Sequence, residues 1–156
     1  MKLLWLKLLP LAASLLVLAA CATARLGGFK MDVVEFKSDP AAPEEKRAAV
    51  VLAFNNDNVM PVAISSSEHK LYLNGTYVGR ARTREALGSP QLSSVTQTLP
   101  LVLENAAFVR QLLAGGARSA QYRLDSKLVI QSDEEHLTIK TDSSGTVGLD
   151  GLGGLR

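Results

Sequence analysis

The sequence is poor in the residues that build disulfides, metal sites and redox centres. Cys21 is the single cysteine among 156 residues, so no internal disulfide can form and the fold must rest on an apolar core. Only two histidines occur, His69 and His136, and they stand far apart without the spacing of metal ligands. We therefore predict no metal site and no cofactor, and we place each histidine on a strand surface.

Signatures of catalysis are also missing. No Gly-x-Ser-x-Gly elbow occurs, and the glycines of residues 151–154 do not follow the strand-turn-helix pattern of a phosphate loop. Ser65, Ser66 and Ser67 stand beside His69, which leaves one enzymatic alternative. That alternative is a hydrolase in which His69 or His136 meets a serine and a carboxylate in a cleft. We expect instead a protein that is not an enzyme and that has no small-molecule substrate.

Long apolar runs are absent except near the N-terminus. Lys2 and Lys7 accompany an apolar run over residues 8–20, which at about 13 residues is shorter than the roughly 20 that a membrane-spanning helix needs. A positive start, an apolar run and then small residues are typical of an export signal. We predict a cleaved signal peptide over residues 1–20.

The end of that run resembles the lipobox of bacterial lipoproteins. It reads Leu18-Ala19-Ala20-Cys21, and the resemblance implies cleavage before Cys21 and a diacylglyceryl group on its sulfur. Several acyl chains on one residue anchor a protein stably to a membrane. The alternative is an ordinary signal peptide followed by an unmodified cysteine. The residue after Cys21 is Ala22 rather than an aspartate. This resembles the pattern of lipoproteins that a two-membrane bacterium sorts to the outer membrane, where they face the periplasm.

Neither sign of charge is in excess in the predicted mature chain. The signal holds two of the 17 basic residues and none of the 15 acidic ones, so residues 21–156 carry 15 of each. A balanced chain has no general attraction to nucleic acid, and we predict no nucleic-acid partner.

The remaining sequence reads as short strands with turns between them. Runs rich in β-branched and apolar residues alternate with Pro, Gly and Asn clusters. Asn105 and Gly115-Gly116 bracket one short helix, whose apolar stripe over residues 108–113 fits a core-covering helix better than a membrane-surface or partner helix. The predicted strands are residues 29–36, 48–55, 62–64, 68–73, 76–83, 95–103, 119–130, 136–141 and 146–149, with a turn at Ser144-Gly145.

The clearest local signal is a β-hairpin turning at Asn74-Gly75, because both residues tolerate the positive φ of a tight turn. In that register Leu71 faces Val78, and Tyr72 pairs with Tyr77 on the outer face. Strict alternation would then turn Arg80 inward, so we predict a bulge at Gly79 that re-aims the chain.

The strand pattern resembles a known family. The segments Val50-Val51-Leu52-Ala53-Phe54-Asn55-Asn56, Leu71-Tyr72-Leu73-Asn74-Gly75 and Leu99-Pro100-Leu101 are similar to the WHy (water stress and hypersensitive response) domain of the late embryogenesis abundant type 2 family. Seven to eight short strands with one short helix predict an all-β, two-sheet sandwich, and the resemblance implies a sandwich of the immunoglobulin- or fibronectin-III-like kind. It also implies protection of other macromolecules under stress, with no catalytic residues.

Three arginines form the most distinctive polar pattern. Arg80, Arg82 and Arg84 stand two residues apart along and just past the predicted strand 76–83, so their guanidinium groups would line one side as a ridge. Such a ridge could bind lipid phosphates or an acidic partner. The alternative is a solvated strand surface whose charges discourage pairing with other sheets.

These observations lead to one reading of the chain. We expect a signal peptide (1–20), a lipid-anchored tether (21–28), a WHy-type domain (29–149) and a flexible tail (150–156). The expected function is non-enzymatic protection of proteins or membranes in the cell envelope. The alternative is a binding or scaffold module that docks an envelope protein or lipid head group through a sheet edge or the arginine ridge.

Overall fold

The computed structural model describes residues 27–38, 47–131 and 135–155. The predicted signal peptide, Cys21 and residues 22–26 of the tether lie outside these ranges. The described ranges contain eight strands, one α-helix and a final 3-10 helix. Their bounds are β1 Phe29–Ser38, β2 Arg47–Asn56, β3 Val62–Leu73, β4 Thr76–Thr83, β5 Leu87–Ser89, β6 Ser93–Leu103, α1 Ala106–Ala114, β7 Ser119–Gln131, β8 His136–Gly148 and the 3-10 helix Asp150–Leu155.

The strands form one antiparallel sheet that curls into a nearly closed barrel. The hydrogen-bonded order is β1-β2-β6-β4-β3-β7-β8, with β5 paired to β3. Only three residue pairs join β4 to β6, from Gly79↔Leu103 to Ala81↔Leu101. The strands thus group as β1-β2-β6 and β4-β3-β7-β8, and β1 lies next to β8 at the other side. The predicted all-β class is confirmed, while its immunoglobulin- or fibronectin-like subdivision stays a prediction.

Tyr122 closes the gap between the two outermost strands of this order. Its hydroxyl accepts a hydrogen bond from the Val33 backbone N–H of β1 and donates one to Asp32, both at 3.3 Å. On β8 its ring lies against Gly145, where an added Cβ would come within 2.9 Å of the ring. The predicted turn at Ser144-Gly145 is therefore wrong: β8 runs straight through, and the glycine makes room for the tyrosine.

The core follows the alternation of the strands. On β7 the inward residues Tyr122, Leu124, Leu128 and Ile130 are buried, as predicted, with Ser126 between them. Residues 62–64 and 68–73 were predicted as separate strands, but they belong to one strand, β3. A bulge between Ile64 and Ser66 lets the strand bend without breaking.

The predicted helix is confirmed. The Asn105 side chain accepts a hydrogen bond from the Phe108 N–H at 3.3 Å, which caps the first turn. Ala106, Val109 and Leu113 are buried against the barrel, so α1 covers part of the core. No helix in the described part of the chain is long and apolar enough to cross a membrane.

The hairpin is confirmed, and its bulge corrects the predicted register. Asn74 and Gly75 both have positive φ, and Tyr72 pairs with Tyr77. Leu71 pairs with Gly79 rather than Val78, because Val78 is the extra residue of the bulge. A side chain at Gly79 would collide with the Val102 backbone, so the glycine is what allows β4 to meet β6.

The end of the chain differs from the prediction of a flexible tail. Residues 150–155 form the 3-10 helix, which packs against β1. Leu149 and Leu152 are buried in the core, and Gly151 lies directly on the Phe36 carbonyl, where a Cβ would not fit. This close approach requires a glycine at position 151.

Candidate functional site

The outer side of β4-β3-β7-β8 carries a dense array of charged side chains, which we call the charged face. Residues of the four strands pair in rows across it, because alternate residues of a strand share a side. The rows read Arg82-Glu68-Lys127-Lys140, then Arg80-Lys70-Asp125-Asp142, then Tyr77-Tyr72-Arg123-Ser144. Cations outnumber carboxylates in this array.

Ion pairs order part of the charged face. Arg82 Nη2 lies 2.9 Å from Glu68 Oε1, and Arg80 Nε lies 2.9 Å from the Oε1 atom of Glu104. The hydrogen bond from Arg82 holds the pKa of Glu68 below its usual value. Since these side chains are about half exposed, each pair adds little stability and chiefly sets side-chain positions.

Aromatic rings occupy one end of the charged face. The rings of Tyr72 and Tyr77 pack edge to face with centroids 5.5 Å apart, which confirms their predicted pairing. The Arg123 guanidinium lies 4.0 Å from the Tyr72 ring centroid, in cation–π geometry, and its Nε lies 3.2 Å from Asp125 Oδ1. A ring contact, a cation–π contact and an ion pair thus meet at this corner.

A shallow, open groove of about 660 Å³ runs along the charged face. Charged and hydroxyl side chains line it together with Tyr72. It has the chemistry of a surface that contacts polar groups, not of an enclosed site that excludes water. The lining residues are Glu68, Lys70, Tyr72, Arg123, Asp125, Ser126, Lys127, Lys140, Thr141 and Asp142.

The predicted arginine ridge is divided between two surroundings. Arg80 and Arg82 share the outer side of β4 and pair with carboxylates, while Arg84 follows the end of that strand. Arg82 and Arg84 meet again at a second groove of about 470 Å³, which Ser66 and Lys127 also line. The structure thus joins two members of the ridge to a lysine of β7, and whether they bind a ligand stays a prediction.

His69 corrects the prediction of a surface histidine. It is fully buried, with Nδ1 2.8 Å from Ser126 Oγ, Nε2 2.9 Å from Ser67 Oγ, and the Phe54 ring packed edge-on at 6.2 Å between centroids. Burial lowers the pKa of His69 to about 4, so the ring is neutral at pH 7. Each serine hydroxyl can donate or accept, and the neutral ring is therefore fully satisfied.

These contacts do not make the serine–histidine–carboxylate arrangement of a hydrolase. Among the described residues, the hydrogen-bond partners of His69 are two hydroxyls, and both serines are buried with it. His136 is exposed at the start of β8, as predicted. The same part of the chain contains no group of three or more His, Cys, Asp or Glu residues placed to hold a metal ion.

The sequence contained a signal for His69 that the surface prediction passed over. Leu71 and Leu73 are inward residues of β3, and two positions before Leu71 stands His69, so the alternation of a strand buries it. The sequence does not predict the rows of the charged face. Lys127 pairs with Lys140 only in one register of β7 against β8, and no local pattern specifies that register.

No protein-family model matches the chain, and no curated protein matches it by sequence. Among solved structures, the solution structure of AT1g01470 from Arabidopsis thaliana is similar with a TM-score of 0.51 at 14% identity, covering 85% of this chain and 89% of that one. A crystal structure of a protein from Archaeoglobus fulgidus is similar with a TM-score of 0.46 at 17% identity, covering 75% of this chain and 95% of that one. Structural neighbours also include At2g46140.1, which carries a provisional late embryogenesis abundant (LEA) assignment. Its solution structure has a TM-score of 0.40 at 16% identity, covering 90% of this chain and 84% of that one. At these identities the likeness to AT1g01470 shows the fold alone.

Proposed function

We propose that this protein is a non-enzymatic, lipid-anchored envelope protein that protects neighbouring proteins or membranes when water is lost. The charged face is the observation that carries the proposal. A polar group that loses water costs free energy unless another partner replaces the hydrogen bonds. Rows of lysine, arginine and carboxylate side chains on a rigid sheet offer such partners to any polar surface that comes into contact.

The WHy-like sequence pattern supports the same role, and the neighbour with a provisional LEA assignment is compatible with it. The open groove also supports contact with broad surfaces rather than capture of one small molecule.

A drying experiment tests this proposal. A labile enzyme is dried with residues 22–156, and its recovered activity is compared with equal masses of serum albumin and a plain fibronectin-type domain. We expect clearly better recovery with this protein. Recovery no better than with both controls would refute protection by the chain itself.

A matched pair of variants locates the protective surface. Replacing Lys70, Lys127 and Lys140 by Gln removes three cations from the charged face. Replacing Lys30, Lys37 and Arg118 by Gln removes three exposed cations elsewhere. We expect the first variant alone to lose protection, and equal losses in both would assign the effect to net charge rather than to the charged face.

Lipid anchoring at Cys21 is tested separately. In a two-membrane bacterial host, we expect mass spectrometry to find Cys21 at the N-terminus with acyl chains, and fractionation to place the protein in the outer membrane. Cys21→Ser should release it from membranes. An unmodified, soluble wild-type protein would refute this part of the proposal.

A second candidate function is a binding module for an acidic envelope protein or lipid head group. The second groove favours it, because Arg82, Arg84 and Lys127 converge there with the single carboxylate Glu68. A photo-crosslinking residue at position 84 tests it in the envelope, with position 30 on β1 as the control. A partner captured at 84 and not at 30 would support docking, whereas equal yields at the two positions would exclude this groove.

A further inference from the structure

Three of the most exposed large apolar side chains lie together at one end of the barrel. Val59 and Met60 are 75% and 69% exposed in the loop between β2 and β3, and Leu92 is 69% exposed in the turn before β6. We call these three residues the apolar tip. The other exposed large apolar side chains in the described ranges, such as Val102, are roughly half exposed on strands.

A buried asparagine holds the two loops of the apolar tip to each other. Asn56 is fully buried, and its amide nitrogen contacts the carbonyl oxygens of Met60, Ser89 and Pro90 at 3.0 to 3.2 Å. Its side-chain oxygen accepts hydrogen bonds from the backbone and side-chain nitrogens of Asn58. The exposed apolar residues are therefore presented on a fixed support.

Leu92 adopts a backbone conformation that leucine normally avoids. Its φ is +49°, and its N–H donates to the Asn58 carbonyl at 3.1 Å. Positive φ is uncommon for residues other than glycine, asparagine and aspartate. Backbone strain at a residue whose apolar side chain is left in solvent is typical of a functional position rather than of a packing position.

The chain that leads to Cys21 leaves the barrel at this same end. The Gly28 carbonyl accepts a hydrogen bond from the Asp57 N–H at 2.7 Å, which fixes the start of β1 beside the loop of Val59 and Met60. Five residues lie between Cys21 and Gly27, and the six steps from one to the other span at most about 20 Å. The opposite end of the barrel is one strand length, about 30 Å, farther away.

We infer that the apolar tip inserts into the surface of the bilayer that holds the acyl chains of Cys21. The short tether keeps this end near the membrane, and the three side chains gain by leaving water. Asp57 is the one charged residue in the two loops, residues 57–61 and 90–92. The contact is thus apolar, and it needs neither anionic lipid nor low salt.

The chemistry of the chain allows a direct test. The inference rests on the proposed anchoring at Cys21, so the experiment supplies the anchor chemically. Cys21 is the only cysteine, and residues 21–156 can be coupled through it to a maleimide lipid in phosphatidylcholine vesicles. The only tryptophan, Trp5, is absent from that chain, so an introduced tryptophan reports on one position.

Met60→Trp is compared with Val102→Trp at the far end of the barrel. We expect Trp emission of the first variant to shift to shorter wavelength on coupling and to be quenched by acyl-chain-brominated lipid, at low and high salt alike. The second variant should show neither effect. Equal quenching of both variants, or quenching of neither, would overturn the inference.

Two further comparisons remove the remaining alternatives. Adding Val59→Ser and Leu92→Ser to Met60→Trp should weaken the quenching, whereas adding Val34→Ser and Val102→Ser should leave it unchanged. Sedimentation without vesicles tests a second copy of the chain as the occupant, and a dimer lost on tip substitution would overturn membrane insertion. If the cell does not acylate Cys21 but the coupled protein behaves as expected, the proposed anchoring fails and the insertion stands.

Discussion

Acid should destabilise this protein through one buried side chain. His69 is neutral in the folded protein because burial lowers its pKa to about 4 from an ordinary value of 6.5. As the pH falls below 6.5, the unfolded chain takes up the proton first, so stability decreases until the pH passes the folded pKa. The difference of about 2.5 pKa units corresponds to about 3 kcal/mol of unfolding free energy lost by pH 4, of which about 2 kcal/mol is lost by pH 5.

Urea unfolding at pH 7.5, 5 and 4 measures this loss. His69→Gln removes the titrating group. Between pH 7.5 and pH 4 this variant should lose about 3 kcal/mol less unfolding free energy than wild type does, whatever its stability at pH 7.5. The exposed His136 is the matched control, and His136→Gln should follow the wild-type curve. Parallel curves for wild type and His69→Gln between pH 7.5 and 4 would refute the assignment of acid sensitivity to His69.

Other substitutions give equally specific expectations. Asn56→Ala leaves carbonyl and amide groups of both tip loops without partners, so chemical denaturation should show an unfolding free energy lower by about 2–3 kcal/mol. An unchanged denaturation midpoint would contradict the role of Asn56 as support. Gly145→Ala forces a methyl group against the Tyr122 ring and should cost about 1–3 kcal/mol in thermal unfolding, whereas Gly148→Ala, which meets open space, should melt close to wild type. Arg82→Gln removes the guanidinium that lowers the pKa of Glu68, so an NMR titration should find the Glu68 pKa raised relative to wild type. The unfolding free energy should change by under about 1 kcal/mol, because the ion pair is exposed.

The sequence predicts most of the secondary structure because its local signals are strong. Asn74-Gly75 fixes the hairpin, and Asn105 and Gly115-Gly116 bound the helix. Each of these residues acts through its own backbone preference, which needs no knowledge of the rest of the fold. The same preference misleads at Gly145, where glycine serves a distant tyrosine instead of a turn.

The candidate surfaces depend on contacts that local patterns do not contain. The charged face exists because four strands align in one register, and a shift of one residue would move its lysines to the inside. Leu137 shows the same limit, since its alternation with Ile139 predicts burial but it is 45% exposed near the start of β8. The apolar tip joins residues 59, 60 and 92, which the hydrogen bonds of Asn56 and of the Leu92 N–H bring together.

The 3-10 helix sets the order in which this chain can fold. It packs on β1, the first strand, and supplies Leu152 to the same core. A nascent chain therefore cannot complete this core until residues 149–155 have been synthesised, and their contacts with β1 are among the most distant in sequence. Such contacts form slowly, because closing a long loop costs entropy before the contacts can stabilise the chain. Part of β1 thus stays uncovered until residues 150–155 pack on it, and a chain cut before Leu149 should stay in a form that a protease readily degrades.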